Sequence, residues 1–285
     1  MWPVAVVFII LACAAALIYS GYHWRAGTRE LRERIRAARV PLPPESFSNL
    51  DSLSLPEPVR RYFLTVLPRS LPPIAAARIE HSGRFNLGES SPKWRPFHST
   101  QCVVTNRPGF DWDARISMAP GLNAYVHDAY VNGVGILQVE ALGLVPLADL
   151  RGTPELSQGE LQRFLAESAW YPTALLPRPN LQWEAVDDHS ARATLRDGDT
   201  TASLLFHFDG GSGLLASVTS EARFRTVHGA AVATPWECRV WAYQQHGGIQ
   251  IPTEGEVSWI LPEGRQAYWR GHIDHIQYEF EKAAA

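Results

Sequence analysis

FDWDARIS, residues 110–117, alternates apolar side chains (Phe110, Trp112, Ala114, Ile116) with polar ones (Asp111, Asp113, Arg115, Ser117) without a break. Successive side chains of a strand point to opposite faces, so this period of two predicts a strand with one buried and one polar face. The pattern recurs at 214–225, where Leu214, Ala216, Val218, Ser220, Ala222 and Phe224 alternate with Thr219, Glu221, Arg223 and Arg225. It recurs again at 238–243, where Cys238, Val240 and Ala242 alternate with Arg239, Trp241 and Tyr243. Turn signals separate such runs: Asn132-Gly133, Asp197-Gly198, Asp209-Gly210-Gly211, Gly247-Gly248 and Glu263-Gly264. Strands joined by short turns are antiparallel, because parallel neighbours need a long crossover. The ten Trp, nine Tyr and eleven Phe suit sheets that bury large rings.

Helical spacing interrupts the strands twice. Pro56 and Pro58 open a short helix at 57–67, with Val59, Tyr62, Phe63 and Val66 on one face and Pro68, Pro72 and Pro73 beyond its end. A second helix is expected over 157–172. There Ser157 and Glu160 read as a capping box, and Leu161, Phe164, Leu165 and Ala169 form an apolar stripe. The expected fold class is α+β, mainly β. One N-terminal transmembrane helix precedes a curved antiparallel sheet, a half-barrel whose concave face is covered by one or two helices.

Residues 1–22 carry no charged side chain, and Val4 to Tyr19 (VAVVFIILACAAALIY) is almost wholly apolar. About twenty helical residues at roughly 1.5 Å each cross a hydrocarbon core of roughly 30 Å. A cleaved signal peptide or a lipoprotein signal around Cys13 would call for a basic n-region, which is missing here. Tyr19, Tyr22 and Trp24 fit an interfacial aromatic belt instead. The expected organisation is an anchor at 1–24, a basic helix and Pro-rich linker at 25–58, and one β-rich domain at 59–282. Six arginines (Arg25, Arg29, Arg32, Arg34, Arg36, Arg39) follow the span against Glu30 and Glu33. Positive residues beside a span stay on the cytoplasmic side, so the reading is a single-pass bacterial inner-membrane protein with a cytoplasmic body. The same segment also reads as a solvated helix with Glu/Arg pairs.

A net charge of −3 and a pI near 6.4 leave no nucleic-acid footprint. No GxSxG, P-loop, GxGxxG, HExxH or CxxC occurs, so no cofactor or metal is expected. His272-Ile273-Asp274-His275 would need a further ligand from elsewhere to hold a metal. Cys102 and Cys238 read as two buried thiols, with pairing left open.

Candidate binding residues come from the aromatic and charged positions of the strands and the second helix. Phe110, Trp112, Trp170, Phe224 and Trp241 are candidate lining for a hydrophobic ligand, and Arg223 for its polar head. Glu221, Arg223 and Arg225 share one face by spacing and suit an anionic group, or else form a solvated ladder. Glu160 and Glu167, seven residues apart on one helix face, are candidate acid/base carboxylates together with Glu221 and Asp113. In the simpler reading Glu160 caps the helix and Glu167 is solvated or pairs with Arg163.

Four segments carry a family resemblance: 55–62 (LPEPVRRY), 159–175 (GELQRFLAESAWYPTAL), 220–225 (SEARFR) and 251–259 (IPTEGEVSW). They resemble a bacterial family of membrane-anchored proteins of unknown function, across nearly the whole body. The curved sheet with inserted helices is also similar to the LolA/LolB-like lipoprotein carrier fold. That resemblance implies a hydrophobic ligand and a periplasmic setting, whereas the arginines point to the cytoplasm. Three readings follow: a membrane-tethered module for a lipid or other hydrophobic molecule, a membrane-proximal enzyme, or a scaffold for other membrane proteins.

Overall fold

The structure, a computed structural model, describes residues 2–40, 54–68, 71–88, 91–227 and 229–281. Of the proline-rich linker expected up to residue 58, residues 41–53 lie outside them. The described strands are β1 (Ile74–Asn86), β2 (Trp94–Val104), β3 (Gly109–Ala119), β4 (Leu122–Val131), β5 (Val134–Ala141), β6 (Val145–Arg151), β7 (Leu181–Asp187), β8 (Ser190–Asp197), β9 (Thr200–Phe208), β10 (Leu215–Val227), β11 (Ala230–His246), β12 (Ile249–Leu261) and β13 (Gly264–Phe280). They form one sheet in the order β6-β5-β4-β3-β2-β1-β13-β12-β11-β10-β9-β8-β7, and every neighbouring pair is antiparallel. The sheet is therefore two meanders joined along β1 and β13. At Asn132-Gly133 both residues take positive φ, 54° and 86°, as a tight two-residue hairpin requires.

Three helices accompany the sheet: α1 (Trp2–Ala37), α2 (Glu57–Val66) and α3 (Pro154–Glu167), the last followed by two short 3-10 turns through Leu175. α3 touches β4 and β5 on one side and β9 and β10 on the other. Those pairs stand far apart in the strand order, so the sheet curls around the helix into a half-barrel. The main core fills this concave side, with Leu161, Phe164 and Leu165 of α3 and Val59, Tyr62, Phe63 and Val66 of α2 buried in it. α3 starts earlier than the capping-box spacing suggests. Thr153 is its N-cap and accepts from the Leu156 backbone N–H, while Ser157 Oγ accepts from the Gly135 backbone N–H at 3.0 Å. A Cβ on Gly135 would come within 2.8 Å of the Leu156 carbonyl carbon, so glycine lets helix and strand meet there.

α1 lies on the opposite, convex face and runs 36 residues without interruption, roughly 54 Å at 1.5 Å per residue. Its apolar first half is exposed, and its second half is docked on β2, β3 and β4. Here the polar alternates of FDWDARIS find their partners. Trp24 Nε1 donates to Asp113 at 2.9 Å, and Thr28 Oγ1 lies 3.1 Å from His127 Nε2. Arg32 donates to Asp111 at 2.8 Å and to the Thr100 carbonyl at 3.0 Å, and His127 Nδ1 lies 2.6 Å from Asp111. Further along, Arg39 pairs with Glu279 and Glu281. The basic segment is thus not only a solvated helix: Arg32 and Arg39 are structural, while Arg25, Arg29, Arg34 and Arg36 stay exposed.

Asp111 is fully buried, so removing its guanidinium partner strands a charge in a low-dielectric site. Arg32→Ala is expected to lower unfolding stability by about 3 kcal/mol or more, and Arg29→Ala by less than about 0.5 kcal/mol. Chemical denaturation of the two variants in the same detergent checks this.

Candidate functional site

Between α3 and the curled sheet lies a cavity of about 340 Å³. Its wall gathers residues from strands distant in sequence: Phe85 of β1, Trp112 of β3, Asp128 of β4, Arg223 and Phe224 of β10, Trp236, Cys238 and Val240 of β11, Val257 and Trp259 of β12, and Tyr268 and Trp269 of β13. Arg163, Ala166 and Glu167 of α3, with Trp170 just beyond it, close the remaining side. The aromatic wall holds itself in place. Trp236 Nε1 donates to the Tyr268 hydroxyl at 2.9 Å, Trp259 stacks on Tyr268, and Phe97 packs against both Trp112 and Trp269. Pockets for small molecules are mostly apolar with a few placed polar groups, and this one has that character.

The polar groups form one network on the α3 side. Arg163 donates to Asp128 at 2.6 Å and to Glu167 at 2.7 Å, and its guanidinium lies 5.0 Å from the Phe110 ring centre and 5.1 Å from that of Trp112. Glu167 also accepts from Gln101 at 2.6 Å. Arg223 stands 3.6 Å from Glu160 and 5.2 Å from the centre of the Trp236 ring. Burial, and then the neighbouring Asp128 carboxylate, hold the Glu160 carboxyl well above the usual range, against the pull of Arg223 and Arg163. Two guanidinium groups, of Arg163 and Arg223, thus face three carboxyl groups, of Asp128, Glu160 and Glu167. Burial also drives His81, packed between Trp170 and the edge of Trp269, down to about 3, with Arg163 and His272 adding to the effect.

Of the residues marked in the sequence, Trp112, Trp170, Arg223 and Phe224 line the cavity. Phe110 is fully buried in the core beneath Arg163. Trp241 is 42 % exposed outside the cavity and donates to Glu254. Glu221 is exposed, and Arg225 lies over Trp259 and donates to Thr234. The expected common face of Glu221, Arg223 and Arg225 is broken by a bulge between Ser220 and Arg223. Gln162 of α3 stabilises that bulge by donating to Ser220 and to the Ala222 carbonyl. The bulge turns Arg223 inward, a phase change that alternation cannot register. Ala242, with φ +56°, similarly interrupts the β11 pattern.

Glu160 is not a capping residue: it is buried and faces Arg223. Asp113 sits on the convex face under Trp24, across the sheet from Glu160 and Glu167. His272, Asp274 and His275 are exposed, and Asp274 accepts from Ser82 at 2.8 Å. Cys102 lies against α1 on the convex face and Cys238 on the cavity wall, so the sheet separates the two thiols. The cavity residues Trp236, Trp259, Tyr268 and Trp269 were not singled out in the sequence. The long hairpins of β10 to β13 that deliver them carried turn signals, but no spacing linked the rings to one another.

A family model described as a family of unknown function, DUF6920, matches residues 53–278. Comparison with curated proteins found no match. Among solved structures, a LolA superfamily protein from Nitrosomonas europaea aligns at a TM-score of 0.41 and 10% identity, covering 82% of this chain and 94% of that one. A beta-barrel-like protein of the DUF1849 domain of unknown function from Brucella abortus aligns at 0.22 and 11%, covering 73% and 99%.

The depressed His81 makes acid a specific stress. Between about pH 6.5 and 3 the unfolded chain takes up a proton that the folded one refuses, so stability is lost as pH falls through that window. His81→Phe is expected to reduce the drop in thermal midpoint between about pH 7 and 5. Scanning calorimetry of both proteins across that range checks it.

Proposed function

We propose that this chain, which belongs to the DUF6920 family of unknown function, is a membrane-tethered binding module that holds a lipid or other hydrophobic molecule in the half-barrel cavity. The observation that carries the proposal is the cavity itself: about 340 Å³, walled by eight aromatic side chains from six strands and the turn after α3, and left unfilled by the protein's own core. The cavity is partly open, so its apolar wall meets water when empty, and a hydrophobic molecule covering that wall would be stabilised by the area it removes from water. Two donors on its wall, Trp112 Nε1 and one terminal nitrogen of Arg223, have no partner among the described residues. An unpaired buried donor costs about 1–3 kcal/mol, which an acceptor on the ligand would offset. The ligand class that fits is therefore an apolar body with a carbonyl, ester or anionic oxygen near Arg223. The apolar half of α1 supplies the tether, being long and apolar enough to cross a membrane. Four exposed arginines just beyond it support placing the body on the cytoplasmic side.

The Asp128–Glu160 pair supports a second reading, an enzyme using a shared proton. Glu160 does not itself reach the cavity wall, whereas Asp128 and Glu167 do, and both of those are engaged by Arg163. That arrangement suits a structural network better than an available base.

Native mass spectrometry of the full chain released from its membrane, followed by organic extraction, is expected to show one bound lipid-like species near unit occupancy. Val257→Trp, which places an indole in the cavity from its half-buried wall, is expected to reduce that occupancy at least tenfold with the fold retained by circular dichroism. A clean ligand-free mass for the unmodified protein would overturn the binding reading.

A further inference from the structure

We infer that the open end of the half-barrel rests on the bilayer in which α1 is embedded, so that a ligand passes between membrane and cavity without crossing water. This inference rests on the tether and the ligand proposed above and adds the orientation of the body to them. The path of α1 is the first observation. Its docked half descends the convex face from Ile35 and Arg32, beside Gly109 and Asp111, to Thr28 and Trp24, beside Asp113 and His127. It reaches Ser20, whose hydroxyl donates to the Leu142 carbonyl in the turn between β5 and β6. The apolar residues 4–19 follow in the same unbroken helix, so the lipid boundary falls next to that turn. The buried polar contacts of Trp24, Thr28 and Arg32 fix the helix to the sheet, and no loop lies between them and the span to let the body tilt freely.

The second observation is which end of the sheet this is. In an antiparallel meander alternate connections share an end. The β1–β2, β3–β4 and β12–β13 connections therefore lie at the same end as the β5–β6 turn. Exposed apolar side chains collect there: Leu87 at the first, Leu122 at the second, and Val145 and Leu147 beside the β5–β6 turn, the last two 58 % and 61 % exposed. Single exposed hydrophobics are ordinary, but several at one end, beside an apolar span, form an interfacial patch. β6 is an edge strand whose outward row an aqueous setting would leave open to pairing, and Pro146 removes one of its donors.

The third observation is the gradient along the cavity. Trp112, near the β2–β3 connection at the other end, is buried, whereas Phe85, Trp259 and Tyr268, toward the β1–β2 and β12–β13 connections, are half-buried. α3 blocks the other end, where its first turn packs on Gly135 next to the β4–β5 turn. The accessible rim and the span thus lie at one end of the molecule.

Site-specific photocrosslinking of the full chain in phospholipid vesicles tests the orientation. A benzophenone side chain would replace Leu87, Leu122 or Leu147 in turn, with Phe8 in the span and Gln245 at the β11–β12 end as references. Intact mass is read after irradiation. Lipid adducts at Phe8 and at least two of the three rim positions, with at least fivefold less at Gln245, are expected. Adducts at Phe8 with none at the rim would overturn the orientation while leaving the tether standing. Equal adducts at Gln245 and the rim would also overturn it, and no adduct even at Phe8 would overturn the tether along with it.

Discussion

Arg163 fixes how α3 lies in the half-barrel, and the cavity exists because of where α3 lies. Its guanidinium bonds Asp128 on β4 and Glu167 on its own helix and lies over the rings of Phe110 and Trp112. Glu167 in turn accepts from Gln101 of β2. One side chain thus connects the helix to three neighbouring strands. Bringing such charges out of water costs several kcal/mol per ion, and only a fully partnered arrangement recovers it. The arrangement is therefore specific: a helix displaced by one turn would leave Asp128 unpaired and take Glu167 away from Gln101. The opposite flank is held the same way by Gln162 on the β10 bulge and by Arg223 beside Glu160.

The two faces of the sheet use the same strand for different purposes. On β3, Phe110 and Trp112 turn toward α3 and the cavity, while Asp111 and Asp113 turn toward α1. A half-barrel with helices on both sides needs such two-sided strands in its middle. The convex polar row also has a consequence for the membrane. Hydrogen bonds and one buried ion pair, rather than a flexible link, join α1 to the body, so a helix long and apolar enough to cross a membrane is held in a fixed orientation to the cavity.

The overall architecture was legible because its signals are local. FDWDARIS, the Asn-Gly and Asp-Gly turns, the Pro-led helix at 57–66 and the apolar run at 4–19 each state their structure within a few residues. The cavity wall was only partly legible. Trp112 and Trp170 could be marked as large rings on recognisable elements, but nothing in the spacing tied Trp236, Trp259 and Trp269 to them. Arg223 and Phe224 show the limit most clearly. Alternation placed Arg223 opposite Phe224, yet a bulge lets both reach the cavity and turns Glu221 to solvent. The capping box failed for a related reason: Ser157 and Glu160 were claimed by β5 and Arg223, partners more than twenty residues away.

By itself the sequence determined a membrane-length apolar helix, an antiparallel sheet and the faces that most strands bury, because periodicity and turn chemistry depend on neighbours in the chain. Tertiary structure decided that α1 continues unbroken into a docked helix, that Glu160 and Arg223 face inward, and that aromatic rings from six strands leave a space between them. Those outcomes depend on which charges find partners and where strands bulge, and each is set by residues far apart in sequence that meet only when the sheet curls.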